Sequence, residues 1–165
     1  MKKTILMTAM LAAFLISCKD NKTTSSAGEG QHEQKTEKIA HHDHEGQAMV
    51  LSNAWLEEIQ LDEGKKWEAN LETTIGVDKM KEVIKTHNPE TLEGFHKMAE
   101  ELNRQKNYIV KECTMTGPSH DNLHVFLHPL IEKIDALLKA ETVDDAKHLT
   151  ISINDNVEAY YNYFK

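Results

Sequence analysis

The chain has 165 residues, and its 27 acidic side chains outnumber 19 basic ones, for a net charge of −8 at pH 7. Phosphate backbones bind to clustered Lys and Arg, so an acidic chain without a basic patch excludes nucleic-acid binding. About 115 residues after position 50 can form one domain with a modest core.

The N-terminus has the layout of a bacterial secretory signal. Two lysines precede an apolar run, Ile5 to Ile16, that is too short to span a bilayer comfortably. The run ends in Leu-Ile-Ser-Cys, which resembles a lipobox, in which cleavage before the cysteine leaves it to carry the lipid. We therefore predict a signal peptide over residues 1–17 and an acylated Cys18 that anchors the protein to a membrane. The alternative is an ordinary cleaved signal with Cys18 as a free thiol.

Cleavage before Cys18 also sets the expected charge and location of the mature chain. It leaves 17 basic residues against 27 acidic ones, a net charge of about −10. Lys19 and Asp20 are weakly similar to a sorting signal of the Bacteroidetes outer membrane or surface. We expect a lipid-anchored envelope protein, with the outer membrane favoured and its periplasmic or surface face left open. Acylation leaves Cys113 unpaired, so it should be buried, bonded to another chain, or a metal ligand.

Residues 18–50 form a polar segment with almost no large apolar side chain. Such a segment buries too little surface to offset its ordering entropy, so it is predicted to be a disordered tether. It contains the tether histidines, His41, His42 and His44, beside Asp43 and Glu45. A tract of this kind captures Zn, Cu or Ni loosely through imidazole nitrogen, and the alternative is a plain soluble spacer.

The first part of the domain at 51–165 is ambiguous between strand and helix. Apolar residues alternate around Asp-Glu-Gly between Ile59 and Ala69, which favours a short β-hairpin over an irregular helix. After Gly76 the apolar spacing changes to that of a first helix, with His87 on its inner face, and Asn88-Pro89 ends it.

Three longer amphipathic helices follow. Asn88 or Thr91 should cap the second, in which Cys113 lies in the same arc as buried apolar positions. Gly117 is predicted to end that helix at its C′ position and Pro118 to start the third, which runs to about residue 140. The fourth covers about 143–163. The predicted fold is mainly α, a small four-helix-bundle-like domain in which short links make neighbours antiparallel.

The corner between the second and third helices carries soft-metal ligands. A thiol, a thioether and two imidazoles lie within twelve residues, at Cys113, Met115, His120 and His124. This set suits Cu(I), and one Cys with two His also suits Zn(II). The spacing matches no established metal motif, and the competing interpretation has Cys113 and Met115 as core residues. His87 and His128 are candidate additional ligands, although His87 is favoured as a core histidine.

At these residues the sequence resembles a set of small Bacteroidetes lipoproteins, mostly of uncharacterised function. In them a segment like LDEGKKW, a later Met and the pattern C-x-M-x-G-x-x-H-x-x-L-H precede a C-terminal helix. The resemblance covers most of residues 55–138. It implies a helical envelope domain in which the Cys113 to His124 segment is a family feature, and it implies no activity.

Other chemistries have less support in the sequence. A covalent haem is excluded because C-x-x-C-H is absent, although a non-covalent b-type haem on Met80 or Met98 and a His is an alternative. No phosphate-binding loop, G-x-S-x-G or H-E-x-x-H occurs, so an enzyme is not expected. The predicted function is binding or buffering of Cu(I) or Zn(II) by an envelope lipoprotein. The alternative is a non-catalytic structural or interaction lipoprotein without metal, which presents its bundle to an envelope partner.

Overall fold

Four long helices account for most of residues 50–165, the part of the chain that this computed structural model describes. They are α1 (Leu71–Thr86), α2 (Leu92–Glu112), α3 (Pro118–Leu138) and α4 (Val143–Tyr163), preceded by a 3-10 turn at Ala54–Glu57. The predicted mainly α four-helix bundle is confirmed. Cys18 and the tether histidines lie outside the described residues.

The helices form a closed ring in which each packs against its neighbours in sequence and α4 returns to α1. Asn70, just before α1, donates from Nδ2 to the carbonyl of Glu112 at the end of α2 at 3.1 Å. The Thr74 and Tyr160 hydroxyls, at the start of α1 and the end of α4, hydrogen-bond at 3.0 Å. Both contacts join a helix start to a helix end, so α1 runs antiparallel to α2 and α4.

Side-chain caps mark the starts of two helices, α2 and α4. Thr91 Oγ1 accepts a hydrogen bond from the Gly94 amide at 3.2 Å, and Thr142 Oγ1 accepts one from the Asp145 amide at 3.1 Å. Each bond satisfies an amide that has no partner within its own helix. Of the two predicted caps for α2, the structure therefore uses Thr91.

Gly117 has a different role from the predicted one. The helix α2 ends at Glu112, three residues earlier than a C′ position at Gly117 requires, and Gly117 is the N-cap of α3 with φ of 63°. A left-handed φ suits glycine because it has no Cβ. Pro118 follows at the first helical position, as predicted, where its missing amide hydrogen has no cost.

The predicted start of the first helix after Gly76 is wrong. The helix α1 begins at Leu71, and Gly76 is a buried position inside it. A Cβ added there would lie 2.3 Å from Cγ1 of Ile109 on α2. Gly76 is therefore needed for the close approach of the two helices, and it does not mark a helix boundary.

Of the predicted β-hairpin, the structure contains only a tight β-turn. Asp62 and Lys65 exchange two backbone hydrogen bonds of 2.9 Å around Glu63 and Gly64, which both have positive φ, as in a type I′ turn. No β-strand forms within residues 50–165, where the backbone makes only isolated β-bridges. One of these bridges joins Trp67 to the C-terminal end of the chain.

The core is built from the inner faces of all four helices. Its fully buried members include Met80, Met98, Leu102, Leu130 and Ile153. Met80 and Met98, the alternative haem ligands, are thus core residues. Between residues 50 and 165, no helix is long and apolar enough to cross a membrane.

Aromatic side chains close the end of the bundle where α4 finishes. Tyr160 and Phe164 are buried and stacked, with ring centroids 4.9 Å apart, and Phe126 contacts both rings. Tyr161 is half-buried and its hydroxyl donates to the Asp78 carboxylate. Tyr160 and Phe164 of the C-terminal aromatic run therefore belong to the core of the bundle.

Candidate functional site

The corner between α2 and α3, residues 113–124, forms at the end of one helix and the start of the next. Cys113 is the C-cap of α2, and its extended backbone leads into a five-residue link. Gly117 then turns the chain into α3, which carries His120 and His124 in its first two turns. These local features bring the end of α2 beside the start of α3.

A small cavity of about 70 Å³ lies between these two helix ends. Four apolar residues and three potential metal ligands line it: Ile109, Val110, Leu123 and Leu127, with Cys113, His120 and His124. Since a water molecule occupies roughly 30 Å³ in the liquid, the corner cavity has room for an ion with one or two waters.

The two imidazoles at the corner lie against each other. The ring centroids of His120 and His124 are 4.4 Å apart, with 62° between the ring planes. His120 is half-buried and His124 exposed, so the site opens to solvent on one side. Neither ring hydrogen-bonds to another residue between 50 and 165.

Two other histidines already use a ring nitrogen within the protein. His87 Nδ1 lies 2.8 Å from the Val83 carbonyl, and His96 Nε2 lies 2.9 Å from the Ala140 carbonyl. The corner rings differ from these two because no residue in the described range 50–165 hydrogen-bonds to their nitrogens.

Cys113 is half-buried and packs against the hydrophobic core. The helical wheel predicted that its thiol would point inward, and the thiol does border both the core and the corner cavity. The helix itself ends one residue earlier, at Glu112. The side chain is therefore less buried than an interior position of α2.

The remaining predicted ligands lie elsewhere. Met115 is half-buried against the core but is not among the residues that line the cavity. His87 was expected on the inner face of the first helix, and that prediction is wrong, because α1 ends at Thr86 and His87 is exposed. It follows the end of α1, whose start lies beside the corner, so it is about 24 Å away along a helix of 16 residues.

The corner ligands do not form a preorganised coordination shell. Among residues 50–165, no group of three His, Cys, Asp or Glu side chains is arranged to hold a metal ion. Cys113, His120 and His124 share a cavity, yet at least one side chain must rotate before all three could bind one ion.

A second polar cluster, which the sequence analysis missed, lies inside the bundle. Lys133 of α3 is fully buried, and its Nζ donates to Asn53 Oδ1 at 2.7 Å, Asn156 Oδ1 at 3.0 Å and the Ser152 carbonyl at 3.4 Å. We call these four residues the lysine cluster. An ammonium has three protons, so each one has an acceptor.

Burial controls the ionisation of this lysine. Loss of hydration lowers the pKa of Lys133 to about 8, and the negative charge of Asp155 partly opposes that shift. The cluster also holds the segment that precedes the bundle, which contains Leu51 and Asn53. Lys133 donates to Asn53, and Ser152 Oγ donates to the Leu51 carbonyl at 3.1 Å. Its position and contacts indicate a structural role.

Comparison of the chain with protein-family models, with curated proteins and with solved structures finds no match. The resemblance to Bacteroidetes lipoproteins at residues 55–138 therefore stays a prediction.

Proposed function

We propose that this protein is a lipid-anchored envelope protein that binds or buffers a soft or borderline metal ion, Zn(II) or Cu(I), at the α2–α3 corner. One observation carries the proposal. A thiol and two imidazoles, neither ring hydrogen-bonded to another residue in the range 50–165, line a single small cavity. The signal-like N-terminus and Cys18 support the proposed location.

The spacing of the two rings is compatible with binding to one ion. Zinc binds imidazole nitrogen at roughly 2.0–2.1 Å, so two rings on a tetrahedral ion have centroids roughly 5 Å apart. The His120 and His124 rings, at 4.4 Å, need only a small adjustment to reach that spacing. Rotation of the Cys113 side chain would then bring sulfur to the ion at about 2.3 Å.

The ligand set in the cavity favours Zn(II) over Cu(I). Met115 is the thioether that would have favoured Cu(I), and it does not line the cavity. One thiolate and two imidazoles leave the fourth position of a zinc ion for water. Cu(I) remains the second candidate, since the thiolate is a soft ligand.

The partial exposure of the corner favours buffering over permanent structural binding. His124 is exposed, so water and competing ligands reach the ion. The bundle also has a complete hydrophobic core made by its four helices. The fold therefore does not need the ion as a structural element, unlike small domains that fold only on metal binding.

The test is the Zn(II) and Cu(I) affinity of the chain from residue 19 onward, with the tether histidines replaced by Gln so that this tract does not compete with the domain for the metal. We expect one ion per chain. Binding should raise the free energy of unfolding by about 2.7 kcal/mol at a free metal concentration of one hundred times Kd. Affinity should fall on acidification, because thiol and imidazole ligands must lose their protons.

The decisive variant is Cys113→Ala combined with His120→Ala, which removes two of the three proposed ligands. His148→Ala is the matched control, because His148 is an exposed histidine on α4 away from the corner. Binding that is lost in the double variant and kept in the control supports the proposal. Equal binding by all the forms, or no binding by the parent chain, would make the corner a packing feature.

The competing proposal is a non-catalytic structural or interaction lipoprotein without a metal. It is favoured by the apolar walls of the cavity and by Val110, which is 57% exposed at its rim. An exposed apolar side chain beside a shallow cavity also suits contact with an envelope partner. If the chain binds no metal in the experiment above, the structural or interaction role becomes the favoured function.

A further inference from the structure

A third histidine continues the corner pair along the outside of α3. His128 follows His124 by four residues, and their ring centroids are 5.9 Å apart, against 4.4 Å for His120 and His124. His120 is half-buried, whereas His124 and His128 are exposed. The three rings, which we call the histidine ladder, therefore lead from the cavity to solvent.

The middle ring of the ladder is shared by two pairs. On a helix, residues four apart lie on the same face, so each neighbouring pair can approach one ion. No three such side chains among residues 50–165 are arranged to hold an ion together, so one ion is not held by all three rings at once. A metal ion would occupy one pair or the other.

We infer that His124 and His128 form a loading site through which Zn(II) enters the corner cavity, an inference that rests on the proposed function. Two imidazoles at the surface hold a zinc ion with its remaining positions filled by water, which makes the binding weak and rapidly reversible. Glu132, exposed one turn beyond His128, adds negative charge that attracts cations to this end of the ladder.

Transfer inward is a ligand exchange without any change in oxidation state. The ion keeps its bond to His124, the bond to His128 nitrogen breaks, and a bond to His120 nitrogen forms. The Cys113 thiol then loses its proton to water or buffer, and the thiolate sulfur replaces a bound water. The driving force is the additional ligand and the negative charge of the thiolate in the inner site.

The inference predicts a particular kinetic signature. A residue that only provides a pathway speeds loading and release equally, so its removal leaves Kd unchanged. A resident ligand contributes to equilibrium affinity, so its removal weakens Kd. Rates and affinity measured on the same variant therefore separate the two roles of His128.

The experiment is stopped-flow mixing of Zn(II) with the chain from residue 19 onward, with the tether histidines replaced by Gln, and release to a chelator. We compare the parent with His128→Gln, His148→Gln and His120→Ala. In His128→Gln we expect association and dissociation both to slow by about tenfold, with Kd unchanged. His148→Gln should match the parent, whereas His120→Ala should weaken Kd.

Two outcomes overturn the loading site while the proposed function stands: His128→Gln loads at the parental rate, or its Kd weakens as in His120→Ala, which would make His128 a resident ligand. Absence of tight zinc binding in the parent chain overturns the proposed function and the loading site together. Slower loading in both glutamine variants would assign the effect to surface imidazoles in general and overturn the loading site.

Discussion

The lysine cluster and the α2–α3 corner are two groups of polar side chains with opposite surroundings. In the cluster, Lys133 is fully buried and each proton of its ammonium has an oxygen acceptor. At the corner, the imidazoles are partly or largely exposed, and neither bonds to another residue of the described part of the chain. The cluster joins three segments of the chain, whereas the corner joins two helix ends.

This contrast distinguishes polar groups that stabilise the fold from polar groups that can bind a ligand. A buried charge without partners is costly, so a buried lysine is expected only where all its hydrogen bonds are made. A partly exposed imidazole can exchange water for a ligand at little cost. Removal of a cluster side chain should therefore affect stability, and removal of a corner side chain should affect ligand binding.

The largest effect is expected for Lys133→Ala. The change leaves the Asn156 oxygen without its donor, leaves Asn53 Oδ1 with only the longer bond from Trp55 Nε1, and opens a space in the core, so unfolding should require about 3–5 kcal/mol less free energy. Urea denaturation measures the difference. Lys133→Met is the matched control, because it keeps most of the volume and removes the buried charge, and it should cost much less. Both variants lose the three hydrogen bonds of Lys133, so equal losses would contradict the contribution assigned to the opened space and would assign the whole cost to the lost hydrogen bonds.

A smaller loss of about 1–3 kcal/mol is expected for Gly76→Ala, because an added methyl group overpacks the contact with Ile109. Ile109 also lines the corner cavity, so this change tests the corner wall without removing a ligand. In an Ile109→Ala background, which removes the γ and δ carbons that meet the added methyl group, the additional cost of Gly76→Ala should shrink in thermal unfolding. Strictly additive losses would show that the two side chains do not compete for space.

The pH dependence of stability offers a third comparison. Since the pKa of Lys133 is lowered to about 8 in the folded state, the unfolded chain binds more protons above that pH. The free energy of unfolding should therefore rise by up to about 2 kcal/mol between pH 8 and pH 10. Burial raises the pKa of Tyr160, and burial with the Asp78 hydrogen bond raises that of Tyr161, so stability should fall above pH 10.

Urea titrations of the parent and Lys133→Met at several pH values test this assignment. The rise should disappear in Lys133→Met, while the fall above pH 10 should persist, because the two tyrosines are unchanged. A rise that survives in Lys133→Met would assign it to another group.

The smallest effect on the metal-free protein is expected for His124→Ala. His124 is exposed, and it has no hydrogen bond to another residue in 50–165, so stability should change by no more than about 0.5 kcal/mol. Thermal unfolding with and without Zn(II) measures both effects, and the variant should lose the stabilisation that the metal confers. A large loss of stability in the metal-free variant would show that His124 stabilises the fold, as the residues of the lysine cluster do.

Helix periodicity predicted the later half of the fold more accurately than the first. The third helix was expected from Pro118 to about residue 140 and ends at Leu138, and the fourth agrees with Val143–Tyr163. Long apolar stripes and a proline at the first position make these helices visible in the sequence. The start of α1 was missed because Gly76 resembles a boundary unless the contact with Ile109 is known.

The burial of Lys133 and Asn156 has a signal in the sequence. In α3, Lys133 follows Phe126 and Leu130 at the spacing of a buried helical stripe, and in α4 Asn156 follows Leu149 and Ile153 at the same spacing. A polar residue at matching places in two facing stripes suggests a buried pair. Which stripes face each other depends on the packing of the helices.

The sequence by itself determined the four helices, most of their limits and the residue types at the corner, because these follow from local spacing, caps and glycine or proline positions. Only the tertiary structure decided which ligands share the cavity, that Met115 and His87 lie outside it, and that Lys133 is buried with three acceptors. Such arrangements depend on contacts between residues far apart in the chain, and local periodicity carries no information on those contacts.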